Sequence, residues 1–424
     1  MILLKFPGKT PVPVNIAVVG AGPAGLTFAC ALAQAGGYQI QLFERDQDHG
    51  EVATYNPNRS YTIDITGHGF NAARAIGITE RFDADLIAFK GIKIAPAPWM
   101  RRLGWGFINE PYGSQGWTGS RGDICRSLQA HLLHHYANSV DLHFGVGAQL
   151  ANAERGELQL TGPATGSSEV RQFDLVVACD GGGSGLRRAL SDQEPGFSVQ
   201  SMDLGNHAMM LHLDQHLDEL DANYLYVLAT EPVLAVAGAI NGPLGPGDPR
   251  WFCQIGFAAP RQFASFREAA DLFDQTQPLL RHFASDAMVG AFCQRDCLPT
   301  GKSKRCSALV VGRVALLGDA AAPVPPVGQG VNAAMEGAAV LAKCVASHRN
   351  SLTEGLAAFS RQWHAESDAL RQIAMAQYQS KKLSRLQVIL AAKFGRLGVQ
   401  LAKDGNLSYQ EAWQQSGQGK GAGP

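Results

Sequence analysis

The stretch that most constrains this chain is VNIAVVGAGPAGLTFACALAQAGG, residues 14–37. Val14–Val19 is a β-branched run with too few polar residues for an exposed strand, so it predicts a strand buried in a parallel sheet. Ala24–Ala35 is rich in Ala and Leu, has no proline after Pro23, and stops at Gly36-Gly37, the pattern of a helix with a glycine C-cap. Between strand and helix, Gly20, Gly22 and Gly25 fit G-x-G-x-x-G. YQIQLFERD then supplies a second strand ending at Glu44-Arg45, about 20 residues beyond the last glycine. Strand, turn, helix, strand and acid in this order predict a dinucleotide-binding Rossmann unit.

Each part has a mechanical reason. Gly20 permits the tight turn. Gly22 lets backbone approach a pyrophosphate, and Pro23 and Ala24 open a helix whose free N–H groups and dipole favour an anion. Gly25 lets that helix pack close to the strand, and Glu44 is placed to accept hydrogen bonds from a ribose.

The rest of the 424 residues sets bounds. An apolar content of 46% and a charged content of 17% describe a globular protein with a large core and two or three domains. A net charge of −1 gives no electrostatic case for nucleic acid or an anionic membrane. No uninterrupted apolar run predicts a transmembrane span. MILLKFPGKTPVPVN lacks the apolar core and cleavage site of a signal peptide, so a cytoplasmic location is expected. The 8 cysteines are scattered and read by default as buried free thiols; a redox couple of Cys293 and Cys297 is the alternative, on the weak signal of a C-x-x-x-C spacing. His131 and His135 lie four apart on a predicted helix; with no third ligand in sight they read as a solvated face rather than a metal site.

Texture divides the chain. NPNRSYTIDITGHGFNAARAIG predicts a short strand and a helix, and residues 141–179 predict strands. YLYVLATEPVLAVAGAI and WFCQIGFA suggest antiparallel sheet, with FREAADLFDQTQPLLRHFA an amphipathic helix inserted. RVALLGDAAAPVPPVGQGVNAAMEGAAVLAKCVASH returns to strand, loop and helix. The expected architecture is α/β. A Rossmann-type domain spans 14–190, with a substrate-domain insertion near 85–118. An antiparallel substrate domain follows over 191–300, then a return segment over 301–350. A helical region, 351–424, ends in the disordered tail SGQGKGAGP.

Two further motifs narrow the reading. Asp180 sits in C-D-G-x-x-S-x-x-R over Cys179–Arg187, and Gly318-Asp319 is followed by Gly328-Gln329-Gly330. With the glycine turn, these occur in the order that characterises the single-component FAD-dependent aromatic hydroxylases. Over roughly residues 14–350 the chain resembles that family, and most of all its kynurenine hydroxylase-like branch.

The resemblance implies a resident FAD. Asp319 then serves the ribityl and pyrophosphate region, Asp180 closes the site behind its turn, and Arg121 of SRGD contacts the flavin. The helix opening at Gly330, Val331 and Asn332 points its positive end at the flavin ring. Tyr112 of PYG, Pro325, Val327 and Gln329 are implied to line the substrate pocket. No side chain is assigned as catalytic and no metal is expected, because the chemistry is flavin-centred. No second G-x-G-x-x-G appears, so NADPH or NADH would visit briefly as reductant. With O2 as co-substrate, a flavin C4a-hydroperoxide would hydroxylate an aromatic small molecule.

The chain departs from the family at named positions. Ala322 stands where G-D-A-A is followed by histidine, the segment to G-Q-G is one residue short, and Gly337 replaces an acid. The branch's carboxylate-clamping arginine has no counterpart in register in GIKIAPAP, although Arg101 and Arg102 lie nearby. Trp99, Trp105, Phe107 and Tyr112 offer aromatic surface instead, which favours a flat, mostly neutral substrate such as an indole, a phenol or a polycyclic precursor. Two alternatives share these motifs: a flavoprotein reductase or epoxidase acting on an isoprenoid-like substrate, and a redox-silent FAD-binding relative.

Overall fold

The computed structural model describes residues 13–51, 61–96, 104, 106–110, 116–162, 168–213, 220–229, 233–242, 245–276, 283–379 and 398–416. Trp99, Arg101, Arg102, Trp105, Tyr112 and residues 417–424 of the expected tail lie outside them.

The central sheet runs Val310–Val311, Val314–Leu316, Leu175–Ala178, Val14–Val19, Tyr38–Glu44, Val140–Phe144. Its strands pair in parallel except at the short Val310–Val311 edge. Ile16, Ala17, Val18 and Leu175 to Ala178 have no exposed surface, as strands covered on both faces require. Helix Pro23–Ala35 packs against helices Arg121–Tyr136 and Gly330–Ser347.

A second sheet of seven strands runs Leu298–Pro299, His207–Leu213, Gly245–Phe257, Leu234–Gly242, Tyr224–Ala229, Gly91–Ile94, Ile108–Glu110. One face is packed under helices Phe266–Thr276 and Asp286–Cys293, where Met209, Tyr226, Trp251 and Ile255 share a core with Phe273 and Phe292. Residues 91–94 therefore pair with a strand more than 100 positions later, and residues 108–110 pair with 91–94 at the sheet edge. A small sheet of Ile63–Ile65, Gly116–Gly119 and Ile87–Phe89 adjoins the seven-stranded one, where the hydroxyl of Thr62 donates to Ala239 O at 2.8 Å.

His131 corrects the expectation of a solvated face. It is buried, and its Nε2 donates to Ile76 O at 3.0 Å; only His134 and His135 are exposed. Burial also lowers the His131 pKa, and the Ile76 bond opposes that shift. Six cysteines are buried free thiols, whereas Cys293 and Cys297 are half-buried. Among the described residues no helix is long and apolar enough to cross a membrane.

The long helix Leu352–Gln379 explains why Gly337 carries no side chain. A Cβ at Gly337 would lie 2.7 Å from the Trp363 indole, which fills the space an acid would need. Gly337→Ala is expected to cost about 1–3 kcal/mol by overpacking, read as a lower denaturant midpoint at unchanged slope. In a Trp363→Leu background the added cost should shrink. An equal cost in both backgrounds would mean that the indole is not the obstacle.

Candidate functional site

Parallel strands bring their carboxyl ends to one edge, and a crevice opens where the strand order turns back. Val14–Val19 is that point, with Tyr38–Glu44 on one side and Leu175–Ala178 on the other. Gly20, Glu44, Asp180 and Gly318-Asp319 all follow strand ends at this edge.

The glycine turn is held from both sides. Gly20 has φ 106°, and a Cβ there would sit 2.4 Å from Cys179 O, so neighbouring backbone excludes any side chain. A Cβ at Gly25 would sit 2.1 Å from Gly20 O. Gly22 differs, for a Cβ there would meet only Arg121 Nη2, at 3.5 Å. The Ala21 N–H donates to Glu44 Oε2 at 2.8 Å, and the Ala21 carbonyl accepts from His49 Nε2 at 2.8 Å. Glu44 Oε1 accepts from Asp46 N at 3.0 Å. The buried carboxylate thus orients the turn itself and keeps spare lone pairs for a hydroxyl donor. Arg45, next to Glu44, is 79% exposed, with its Nε 3.9 Å from Asp46 Oδ1.

Ser120, Ser184, Ser285 and Ser408 each cap a helix. The helices that begin at Pro23 and Gly330 have no side-chain cap and no acid in the first turn. Their first N–H groups therefore lack intrahelical partners at positively polarised ends. Between these two helices sits the Gly318-Asp319 turn, since a Cβ at Gly318 would lie 3.2 Å from both Ala24 Cβ and Ala334 Cβ.

Asp319, Arg121 and Tyr61 line the crevice. All three are accessible, Tyr61 to 39%, yet the surrounding protein desolvates them, as in a deep open cleft. Desolvation raises the Asp319 carboxyl above the ordinary range, while Arg121 and Arg187 pull it down. Desolvation also raises Tyr61, reinforced by Asp319 and opposed by Arg121. At Arg121 desolvation disfavours the charge, but Cys125, Glu44, Tyr61 and Asp46 outweigh it and its pKa is raised.

Asp180 uses one oxygen internally: Oδ2 accepts from Gly185 N at 2.7 Å and Leu186 N at 3.2 Å. Its Oδ1 is buried and unpaired. Arg187, the last residue of the same motif, is buried and donates to Asp319 O at 3.1 Å, Ala320 O at 2.6 Å and Gly182 O at 2.6 Å. It ties the two aspartate turns together.

The remaining candidates are less open. Asn332 is fully buried; its Oδ1 accepts from Thr66 N at 2.9 Å, and its Nδ2 donates to Asp64 O and Gly328 O, each at 3.0 Å. Gln329 is also fully buried and accepts from Tyr409 Oη at 3.2 Å. Both amides are committed to protein, leaving backbone N–H groups as what this helix end offers. Val331 and Val327 are half-buried and Pro325 is buried. The Ala322 N–H donates to Gly318 O at 3.0 Å, closing the turn where the family has its histidine. Tyr61, His49 and the clamp role of Arg187 were not singled out from sequence; only the position of Arg187 at the end of a motif pointed to it.

A Rossmann crevice with two uncapped helix ends and a second sheet beside it defines a dinucleotide-dependent enzyme of the flavoprotein type. The chain belongs to the FAD binding domain family, which it matches over residues 13–372. It is similar to kynurenine 3-monooxygenase of Stenotrophomonas maltophilia (strain K279a), 26% identical over 379 residues, 86% of this chain and 78% of that one. The Sus scrofa kynurenine 3-monooxygenase is 25% identical over 373 residues, 86% and 75% of the two chains. Its fold resembles that of tetrameric 2-methyl-3-hydroxypyridine-5-carboxylic acid oxygenase, with TM-score 0.69, 19% identity and coverage of 92% and 96%. It also resembles CtdE in complex with FAD and substrate, with TM-score 0.64, 18% identity and coverage of 87% and 89%. The chain is an FAD-dependent NAD(P)H monooxygenase.

The crevice residues fit that cofactor. Open space over Gly22, a guanidinium beside it, an uncapped helix N-terminus and the unpaired Asp180 Oδ1 suit a pyrophosphate flanked by hydroxyls. Arg187→Met should leave three carbonyls without their donor and lower stability by at least about 2 kcal/mol. Faster amide exchange over 318–322 should accompany the loss. Native-like exchange there would show that the two turns are held by something else.

Proposed function

We propose that the chain hydroxylates a flat, mostly neutral aromatic molecule with FAD, NADPH or NADH, and O2. Gly20, Gly22, Pro23, Ala24 and Gly25 would hold the pyrophosphate with Arg121, and Glu44 the ribose. Asp180 would close the site, and Asp319 would hold the ribityl-pyrophosphate region. The helix end at Gly330, Val331 and Asn332 would face the flavin ring. The segment 191–300, with 85–118, would form the substrate domain. The chemistry that FAD supplies when bound is acceptance of hydride and activation of O2 for hydroxyl transfer. The protein's part is to bind, orient and exclude water, and the Gly330 helix end favours negative charge beside it.

The observation that carries the substrate class is the face of the seven-stranded sheet opposite helices Phe266–Thr276 and Asp286–Cys293. Thr62 lies on this face, next to Tyr61 of the crevice, because a Cβ at Gly238 would sit 2.7 Å from its Oγ1. Register aligns Ile94, Val227, Val236, Gln254 and Met210 in one row across it. The row is apolar except for the Gln254 amide, which suits a neutral ring with one polar substituent.

Two outcomes test the reading. Asp319→Ala is expected to weaken FAD binding roughly 5- to 150-fold, the effect of about 1–3 kcal/mol for unpaired polar groups; undiminished flavin after dialysis would remove Asp319 from the site. Neutral indoles and phenols should stimulate coenzyme oxidation and yield hydroxylated product at least about tenfold more efficiently than kynurenine, whose carboxylate finds no charged partner on this row. Efficient, coupled hydroxylation of kynurenine alone would overturn the neutral-substrate class.

A further inference from the structure

The segment Gly398–Ser416 packs against the loop that precedes Gly330. After helix Gly398–Lys403 the chain turns at Gly405, φ 67°, against Gly67, φ 47°. A Cβ on Gly67 would sit 2.3 Å from Lys403 O, and one on Gly405 2.5 Å from Gly67 C. Backbone meets backbone there, and Asn71 Nδ2 adds a bond to Gly405 O at 3.1 Å. The contact fixes where the following helix, Tyr409–Gln415, begins.

That placement puts Tyr409 inside the protein. It is fully buried, stacked on His68 with ring centroids 4.2 Å apart, and met edge-on by Trp363 at 6.5 Å. His68 Nδ1 in turn lies 2.8 Å from Glu336 Oε2. The Tyr409 hydroxyl donates to Gln329 Oε1 at 3.2 Å, and Gln329 Nε2 donates to Gly328 O at 2.9 Å. Burial, reinforced by Glu336 and Glu366, holds the phenol well above its ordinary range, so the hydroxyl stays a donor.

The loop being held is also anchored at its ends. Arg187 grips Asp319 and Ala320, and Lys304 N donates to Pro323 O at 3.1 Å. Asn332 holds Gly328 O. Between these ends Pro325 and Pro326 have no backbone N–H and donate no main-chain hydrogen bond. Gln329 stands at the N-cap of helix Gly330–Ser347 without capping it, because its amide is turned toward Tyr409.

We infer that Tyr409 is a positioning residue: its hydroxyl, acting through Gln329, sets the 324–330 loop and the Gly330 helix end against the flavin. The carboxyl-terminal segment is thereby a working part of the site. This rests on the flavin ring lying at that helix end, as proposed above.

Tyr409→Phe removes the hydroxyl and keeps the stacked ring. Amide exchange over 324–332 should quicken about 5- to 10-fold in both FAD-free and FAD-loaded protein, the factor one lost hydrogen bond implies. In the holoenzyme the visible flavin spectrum should shift, and the share of coenzyme oxidation released as peroxide should rise. Gln329→Leu should produce the same changes, and Tyr409→Phe should add nothing to them in the Gln329→Leu background. Gln329→Leu also serves as the test should Tyr409→Phe fold poorly. Wild-type loop exchange in Tyr409→Phe, or additive effects of the two substitutions, would overturn the inference. Faster loop exchange with an unchanged flavin spectrum would leave the clamp standing and show instead that the ring does not lie at this helix end.

Discussion

The parallel pairing of Val14–Val19 with Tyr38–Glu44 and with Leu175–Ala178 is the constraint on which the site depends. Parallel strands must end on the same side, so motifs more than 100 residues apart open onto one edge. The pairing is close enough that Cys179 O occupies the space where Gly20 would carry a side chain. Glycine is therefore a requirement of sheet packing at Gly20 and of helix packing at Gly25. At Gly22 the corresponding space is open, and it is there that a ligand can approach the backbone.

Polar groups around the crevice divide by whether they are already used. Asn332, Gln329, Arg187 and one oxygen of Asp180 are spent on internal hydrogen bonds that fix the turns and helix ends. Arg121, Asp319 and Tyr61 face the open cleft. Such a division is what preorganisation requires. The groups that meet a ligand are held by others whose partners are settled beforehand, so little ordering remains for the moment of binding.

One departure from the family pattern has a structural cause. At Gly337 the Trp363 indole fills the available space, whereas nothing in the structure explains the alanine at Ala322. Trp363 belongs to the long helix Leu352–Gln379, on the same side as Tyr409 and the His68–Glu336 pair. A small residue on one helix and a large one on the next are two halves of one packing solution.

Much of this protein was legible from local order. The β-branched run 14–19, the Ala-rich helix after Pro23, the alternation in 224–257 and the proline-free stretch after Pro326 announced their elements, because each signal repeats within a few residues of itself. Turn glycines and motif aspartates were legible because short loops force particular residue types. What sequence could not show was who meets whom at long range. His131 looked like surface until Ile76 was found above it, and Tyr61 carried no mark of its place beside Arg121 and Asp319. The bond between Tyr409 and Gln329 joins residues 80 positions apart, and nothing periodic in either segment foretells it. Local conformation follows from sterics along the chain and can be read there. The partners of a buried polar group are chosen only when distant segments are brought together and every donor must find an acceptor, and that is decided by the tertiary structure alone.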